Sequence, residues 1–329
     1  MADELELLRR ADPVPVDGPH YGDGPLDHNA ERQLDRLLHE RPSAPRRRTR
    51  LAWGLAASAV VAALVSALLF TGQTAAPAVA APRPLIVRAD STPVPMARLA
   101  ERAEQAASKD SPALRKGTHV QSWSLAMSDQ DPPITLPQET IVRWNADDSH
   151  TELVVATDPR HPGRPVLTDD DGRPRLVDDG HVLRNRTYPP SWSDAPPESP
   201  PPHDAAALHD YLEKAGRAFL ADHTKPLSTA ELLDATQILL DKWTLGPRES
   251  AALADLLADA EGLRPVGQVT DRLGRPGQAY VYDGDGSRRM LIMDATDGSV
   301  LGLEQTFTGD DPRFGVKAGD VMAYSAWMR

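Results

Sequence analysis

The sequence contains no cysteine among its 329 residues. Without cysteine the chain has no disulfide, no thiolate ligand for a metal, no thiol nucleophile and no site for lipoprotein lipidation. If it is exported, its folded part must therefore be held together by its hydrophobic core. A strongly basic composition is also lacking. The net charge of −12 argues against general nucleic-acid binding.

The sequence also lacks the short motifs that carry common enzyme chemistry. It has no glycine-rich phosphate loop, no kinase signature and no G-x-S-x-G nucleophile elbow around Ser191 or Ser193. His39-Glu40 is followed by Arg, Pro and Ser, so the zinc-protease pattern H-E-x-x-H is absent. We therefore predict that the chain is not an enzyme and that it has no catalytic or cofactor-binding residues.

Two acidic turns resemble the beginning of a calcium loop. They start at Asp283 and Asp169, but their twelfth positions are Asp294 and Gly180, where an EF-hand has a glutamate. Both are better interpreted as hairpin turns. The histidines His203, His209 and His223 do not share one helical face at metal-binding spacing. We therefore predict no metal site.

One long apolar run contrasts with this polar composition. Leu51–Phe70 contains no charge over twenty residues, and as a helix it would cover the roughly 30 Å hydrocarbon core of a bilayer. An arginine cluster between Arg46 and Arg50 precedes the run, and the next charge after it is Arg83. This asymmetry predicts a transmembrane helix over residues 51–71, with a cytoplasmic N-terminus and an extracytoplasmic C-terminal domain in the cell membrane.

A cleaved secretory signal is the alternative interpretation of this run. Ala78-Val79-Ala80 has the small-x-small form of a cleavage site. However, the run is longer than a signal core of about 7–15 residues, and fifty residues precede it. We therefore predict an uncleaved single-pass anchor whose partner is the lipid bilayer. A mature N-terminus at Ala81 would contradict this prediction.

The segments that flank the run differ from each other in composition. Residues 1–50 are expected to form a partly disordered cytoplasmic tail, with a helix between Asp27 and Glu40 that could bind a cytoplasmic protein. Residues 72–95 form a linker rich in Pro and Ala, in which five prolines prevent a continuous helix. Residues 96–329 are predicted to form the outer domain.

The first part of this outer domain predicts one helix followed by strands. Met96, Leu99, Ala103 and Ala107 share a helical face, and Gly117 then breaks the pattern. Strands are predicted at 119–127, 139–144 and 151–156, and short strands flank the turns at 169–172 and 179–180.

The second part predicts a helical block and then more strands. Three helices lie between residues 204 and 262, and the second begins with a capping box at Ser228 and carries Trp243 inward. Four strands separated by short turns run from Val266 to Phe307, which predicts an antiparallel meander, and a last strand lies at 320–327. The fold class is therefore α+β with a mainly antiparallel sheet. Because the strands near 278–294 are apolar on both faces, the sheet should be covered on both sides or line a cavity.

Several sequence segments of this chain, taken together, carry a resemblance to a known protein family. They are Glu6-Leu7-Leu8-Arg9, the arginine run 46–50, and the strands Gly274–Tyr282, Met290–Asp294 and Gly298–Gly302. With them the chain resembles a family of uncharacterised actinobacterial single-pass membrane proteins. Its outer domain resembles the half-barrel fold of bacterial lipoprotein carriers and periplasmic sigma-factor regulators, in which a curved antiparallel sheet wraps around helices. The resemblance implies no active-site residue.

Three classes of function remain open at this stage. They are a membrane regulator whose outer domain binds a ligand or partner, an envelope carrier or scaffold that holds lipid or lipoprotein in the concavity of its sheet, and an exported enzyme. We favour the non-enzymatic regulator of envelope signalling, with an unidentified small-molecule ligand or partner. Ala59, Ala63 and Ala67 form a small-residue stripe along which two copies of the predicted span could approach closely.

Overall fold

The computed structural model describes residues 82–108, 114–128, 132–190, 199–217 and 226–328. No helix within these ranges is long and apolar enough to cross a membrane. The predicted span Leu51–Phe70, the tail 1–50, Ser191, Ser193 and His223 all lie outside the described residues.

Four helices lie in the described part of the chain. They are α1 (Met96–Ala107), α2 (Ala205–Arg217), α3 (Thr229–Leu240) and α4 (Pro247–Ala258). Helix α3 begins with the predicted capping box, in which the hydroxyl of Ser228 accepts from the Glu231 N–H and the Glu231 carboxylate accepts from the Ser228 N–H. Helix α4 carries proline at its first position, where the missing N–H costs no hydrogen bond.

Twelve strands lie in the same described ranges. In chain order they are β1 (Arg115–Ala126), β2 (Ile134–Trp144), β3 (His150–Ala156), β4 (Val166–Thr168), β5 (Arg175–Val177), β6 (His181–Tyr188), β7 (Trp243–Thr244), β8 (Arg264–Thr270), β9 (Pro276–Gly284), β10 (Ser287–Met293), β11 (Val300–Phe307) and β12 (Val321–Trp327).

The main sheet follows the spatial order β6-β3-β2-β1-β12-β11-β10-β9-β8, and every neighbouring pair is antiparallel. The predicted meander from β8 to β11 is therefore confirmed. The last strand, β12, lies between β11 and β1, so the end of the domain closes against its beginning. Strands β4 and β5 form a separate hairpin, and β7 pairs with the first residues of β1. The fold is α+β with a mostly antiparallel sheet, as predicted.

One face of this sheet, here called the helix face, packs against the helices. Helices α1 and α4 also pack closely against each other. The core between helices and sheet contains Leu99 of α1, Leu233 of α3 and Leu253 of α4, none of which is exposed to solvent. From the strands it includes Tyr280, Leu291, Met293, Leu303 and Trp327.

The opposite face, here called the strap face, carries a second apolar cluster. Its buried members are Trp123, Val269, Ala279, Val281, Met290, Ile292, Leu301, Val321, Tyr324 and Ala326. Both alternating sets of β9 and β10 are therefore buried, and the predicted two-sided covering is confirmed. The second cover is a short extended segment with partly buried Leu85 and Val87, which packs against this cluster.

Two local predictions are wrong. Helix α3 ends at Leu240, and Trp243 belongs to β7, because the Lys242 carbonyl accepts the Gly117 N–H (2.8 Å) and the chain pairs with β1 instead of continuing as a helix. Gly117 does not precede β1 but lies within it. Its φ of +114° and its close approach to Val142 of β2 leave no room for a Cβ atom there.

Candidate functional site

The segment that covers the second sheet face comprises residues 82–91, here called the strap. Residues 82–88 are extended, and Ala89 and Asp90 then form a turn in which the Ser91 N–H donates to the Arg88 carbonyl (3.1 Å). Leu85 and Val87 contact the apolar cluster, whereas Ile86 between them is 81% exposed. The sequence assigned these residues to the linker, but their apolar alternation places them on the sheet.

Hydrogen bonds near both ends of the strap hold it on the sheet. The Leu85 N–H donates to Glu304 Oε1 (2.8 Å), and Arg272 Nη2 donates to the Arg83 carbonyl (3.0 Å). Further along, the Arg88 N–H donates to the Gln268 carbonyl (2.8 Å), and the Gln268 N–H donates to Ser91 Oγ (2.8 Å). The first two bonds join the strap to charged side chains, and the last two join it to the edge strand β8.

The charged pair beneath the strap is almost completely buried. Arg272 and Glu304 form an ion pair, and their side chains are 5% and 2% exposed. The guanidinium also lies over the Tyr324 ring, 5.1 Å from its centroid. Burial raises the pKa of Glu304 above its usual value, although Arg272 and the Leu85 N–H both lower it. A charge pair in this environment is stable only while its hydrogen-bonding partners remain in place.

The turn between β8 and β9 fixes the position of Arg272. The preceding residue, Asp271, accepts the backbone N–H groups of Leu273 (2.9 Å) and Arg275 (2.7 Å). The Arg275 side chain binds the Asp271 carboxylate and donates to the carbonyls of Trp327 and Leu301. The turn is therefore fastened to β11 and β12, which holds the guanidinium of Arg272 over the sheet.

Two surface grooves take part of their lining from the strap. The first, here called the Asp158 groove, has a volume of about 210 Å³ and is lined by Pro82, Thr135, Pro137, Asp158, Arg160, His161, Arg164, Pro165, Val166 and Leu167. The second, here called the Phe307 groove, measures about 310 Å³ and is lined by Pro84, Leu85, Arg288, Met290, Glu304, Thr306, Phe307, Thr308, Ala318 and Gly319. The strap is the element that both grooves share.

The Asp158 groove contains a folded-back loop with its charges largely paired. The carboxylate of Asp158 accepts from Arg160 Nε (3.0 Å) and Nη2 (2.8 Å) and lies 3.1 Å from His161 Nδ1. Burial raises the pKa of Asp158, but the hydrogen bonds from Arg160 and His161 outweigh it and leave the pKa below its usual value. The guanidinium of Arg160 also lies 5.1 Å from the Trp123 ring. This network stabilises the groove wall and keeps the carboxylate ionised.

The space between the helices and the helix face is much smaller. The cavity there, lined by Thr118, Leu240, Trp243, Thr244, Leu245, Ser250, Val300, Trp327 and Met328, has a volume of about 20 Å³. A cavity of this size holds about one water molecule. It has no room for an acyl chain.

The acidic turns considered from the sequence are hairpin turns in the structure. Asp283 precedes the two-residue turn between β9 and β10, and its carboxylate binds Arg264 and Arg288. Asp169–Gly172 connects β4 to β5, and Asp170 binds Arg175. His203 is exposed and His209 is half-buried on α2. The described residues contain no group of three or more His, Asp or Glu side chains that could hold a metal.

Neither the strap nor its charged pair was predicted from the sequence. Two signals pointed to them. Leu85-Ile86-Val87 is a β-prone apolar run inside a proline-rich linker, and Glu304 is a charge inside the apolar strand Val300–Phe307. A carboxylate in such a strand needs a cationic partner, but the sequence does not indicate which arginine supplies it.

No protein-family model matches the chain, and no curated protein matches it either.

Proposed function

We propose that this chain is a non-enzymatic, single-pass protein of the cell membrane that regulates envelope signalling. In this proposal Leu51–Phe70 spans the bilayer, residues 1–50 contact a cytoplasmic protein, and the outer domain binds a ligand or partner outside. The charge asymmetry around the apolar run supports this topology.

One observation carries the regulatory part of the proposal: the strap lines two of the surface grooves, the Asp158 groove and the Phe307 groove. It is also the described segment nearest in sequence to the apolar run. Pro82 lines the Asp158 groove, and Pro84 and Leu85 line the Phe307 groove. A molecule bound in either groove contacts the strap directly. Binding outside would thus change how firmly the strap is held, and the strap leads through residues 71–81 to the predicted anchor.

The alternative function, an envelope carrier for lipid or lipoprotein, has less support. A carrier needs an apolar cavity that encloses an acyl chain. The cavity between helices and sheet is about 20 Å³, because side chains such as Trp243 and Trp327 fill that space. The grooves on the opposite face are open and partly polar, which suits a protein segment or a polar ligand better than an acyl chain.

A change of association state is the physical route by which such a signal would cross the bilayer. A single helix joined to the domain by a proline-rich linker cannot transmit a small tilt reliably. The stripe of Ala59, Ala63 and Ala67 would allow two anchors to pack closely. We therefore expect bulky substitutions at Ala59 and Ala63 to alter self-association in a membrane two-hybrid assay.

Topology and regulation are tested separately in cells. Protease added to intact spheroplasts should remove the outer domain and spare residues 1–50, and Ala63→Arg should impair insertion by about 2.5–3.5 kcal/mol. Deletion of residues 1–50 should then change gene expression. Val61→Leu, which lies outside the alanine stripe and keeps the anchor apolar, is the control and should leave expression unchanged. A mature N-terminus at Ala81 would refute the anchor, and an unchanged transcript profile after the deletion would refute the regulator.

A further inference from the structure

We propose that the strap is an intramolecular ligand of a peptide-binding groove, and that an extended segment of a partner protein competes with it for Arg272 and Glu304. This inference deepens the proposed function, since it specifies the partner of the same site as an extended peptide. Three features of the contact support it.

The charged pair recognises the main chain of the strap. Glu304 accepts the N–H of Leu85, and Arg272 donates to the carbonyl of Arg83, two residues earlier. Positions i and i+2 of an extended chain point the same way, so one buried carboxylate and one guanidinium can bind both. These contacts use no strap side chain. A segment of different sequence can therefore make the same two hydrogen bonds, as in other modes of extended-peptide recognition.

The side chains of the strap supply the rest of the fit. Leu85 and Val87 point to the apolar cluster of the strap face, whereas Ile86, Arg88 and Asp90 are exposed. A competing segment therefore needs apolar residues at alternate positions and tolerates any residue between them. Gly267 of β8 lies directly under the strap, where an added Cβ atom would clash with Ser91 Oγ and come within 3.2 Å of the Val87 side chain. The groove floor therefore leaves no room for a side chain at this position of β8.

The strap does not fill the available space. The Phe307 groove continues beside Leu85 with a volume of about 310 Å³ and includes the apolar side chains of Met290 and Phe307. A larger apolar residue at the position of Leu85 would occupy this volume. We therefore infer that the preferred partner segment carries an aromatic residue there, which offsets the advantage that the strap gains from being tethered to the domain.

The test measures binding of synthetic peptides to the purified full-length chain in mild detergent by fluorescence anisotropy. The probes are a labelled peptide with the sequence of residues 82–91, the same peptide with Phe in place of Leu85, and a version with N-methyl-leucine at that position. Leu85→Pro in the chain removes the N–H that donates to Glu304 and weakens the tethered strap. The matched control is Ile86→Pro, because the Ile86 N–H makes no hydrogen bond with the described residues.

We expect Leu85→Pro to bind the strap peptide about 10- to 100-fold more tightly than wild type, the factor that accompanies loss of a hydrogen bond to a charged group. Ile86→Pro should bind like wild type, the Phe peptide more tightly than the Leu peptide, and the N-methyl peptide not at all. Adding Glu304→Met to Leu85→Pro removes the acceptor and keeps a side chain of similar length, and it should abolish the gain. Near-ultraviolet circular dichroism checks that each variant is folded. If Leu85→Pro unfolds, the N-methyl and unmethylated peptides are compared on the wild-type chain.

Equal binding of the two strap variants, or of the methylated and unmethylated peptides, would overturn the inference. A wild-type dimer that Leu85→Pro dissociates would also overturn it, because the occupant would then be the strap of a second copy. Failure of peptide binding together with an altered transcript profile after deletion of residues 1–50 would refute this inference and leave the regulator standing. Peptide binding as expected, together with an unchanged transcript profile after that deletion, would refute the regulator and leave the peptide groove standing.

Discussion

The two faces of the same sheet are covered in different ways. On the helix face, Leu99, Leu233 and Leu253 are completely buried between three helices and the strands. On the strap face, the ten-residue strap covers part of a second apolar cluster. Its Leu85 and Val87 are only partly buried, and its Ile86 is exposed. On the helix face, Arg289 of β10 pairs with Asp234 of α3, but Asp234 is 45% exposed, whereas both partners of the Arg272–Glu304 pair are buried.

This difference indicates a division of roles. Hydrophobic burial on the helix face is large and needs no particular hydrogen-bond partner, so it stabilises the fold. On the strap face, a buried ion pair makes the cover specific, because it requires an N–H and a carbonyl at fixed positions. A cover held by a few hydrogen bonds and a few apolar contacts is also easier to exchange. Four stability measurements test this comparison.

The largest effect is expected from breaking the charged pair. Arg272→Ala leaves Glu304 buried without its cation and should lower the free energy of unfolding by about 3–5 kcal/mol. Arg288→Ala is the matched control, because Arg288 pairs with Asp283 at the surface and should cost less than about 1 kcal/mol. Urea unfolding followed by tryptophan fluorescence measures both. A similar loss of unfolding free energy in the two variants would show that solvent reaches the Arg272–Glu304 pair in solution.

The next effect concerns the helix face. Leu253 in α4 is 0% exposed, so Leu253→Ala should lower the free energy of unfolding by about 2–5 kcal/mol through lost burial and a cavity. Peptide binding at the strap should not change, because α4 packs on the opposite side of the sheet. The same urea titration and the anisotropy assay report the two quantities. Altered peptide affinity would mean that the two faces are coupled.

A pH effect should also originate on the helix face. Asp241 accepts the Trp327 Nε1–H (2.9 Å), and burial raises its pKa from 3.8 to about 6. Between these two values the folded state binds the proton more tightly than the unfolded state. The free energy of unfolding should therefore fall as pH rises through this window, by on the order of 2 kcal/mol from this group.

Asp241→Asn keeps an oxygen acceptor for the indole and removes the titration. Urea unfolding at several pH values between 4 and 7 should then show a flatter dependence than wild type. Asp259→Asn, at the exposed end of α4, is the control. An unchanged slope in Asp241→Asn would mean that another group causes the pH dependence.

The smallest effect is expected in the strap itself. Leu85 is half-buried, and Leu85→Ala should lower the free energy of unfolding by about 1 kcal/mol. Ile86→Ala, at a position that is 81% exposed, should change it by less than about 0.5 kcal/mol. Thermal unfolding of the two variants measures both stability losses. A loss at Leu85 as large as that at Leu253 would remove the distinction between the two covers.

Much of the fold follows from short-range patterns. The capping box at Ser228 predicts the beginning of α3, and the apolar repeat from Met96 predicts α1 with its buried face. The turns at Asp283–Gly286 and Thr296–Ser299 predict the antiparallel meander. These signals depend on residues at most a few positions apart, where sequence and backbone conformation are directly related.

The prediction that Trp243 belongs to α3 was wrong because the backbone pairing of Trp243 is a long-range contact. Its apolar spacing continues the pattern of α3, and its side chain is indeed buried in the helix-face core. Its backbone, however, pairs with β1, more than a hundred residues earlier in the chain. Burial of the side chain was predictable, whereas the partner of its backbone was not.

The sequence by itself determined which segments form most of the helices, strands and turns, that the sheet is antiparallel, and that its central strands are apolar on both faces. Only the tertiary structure decided that β12 lies between β1 and β11, that residues 82–91 cover the second face, and that Glu304 pairs with Arg272. The Leu85 N–H and its acceptor on Glu304 are 219 positions apart. Such a contact depends on the spatial order of the strands in the complete sheet. Many alternative strand pairings have similar local strength, and only the summed energy of all the pairings selects one arrangement.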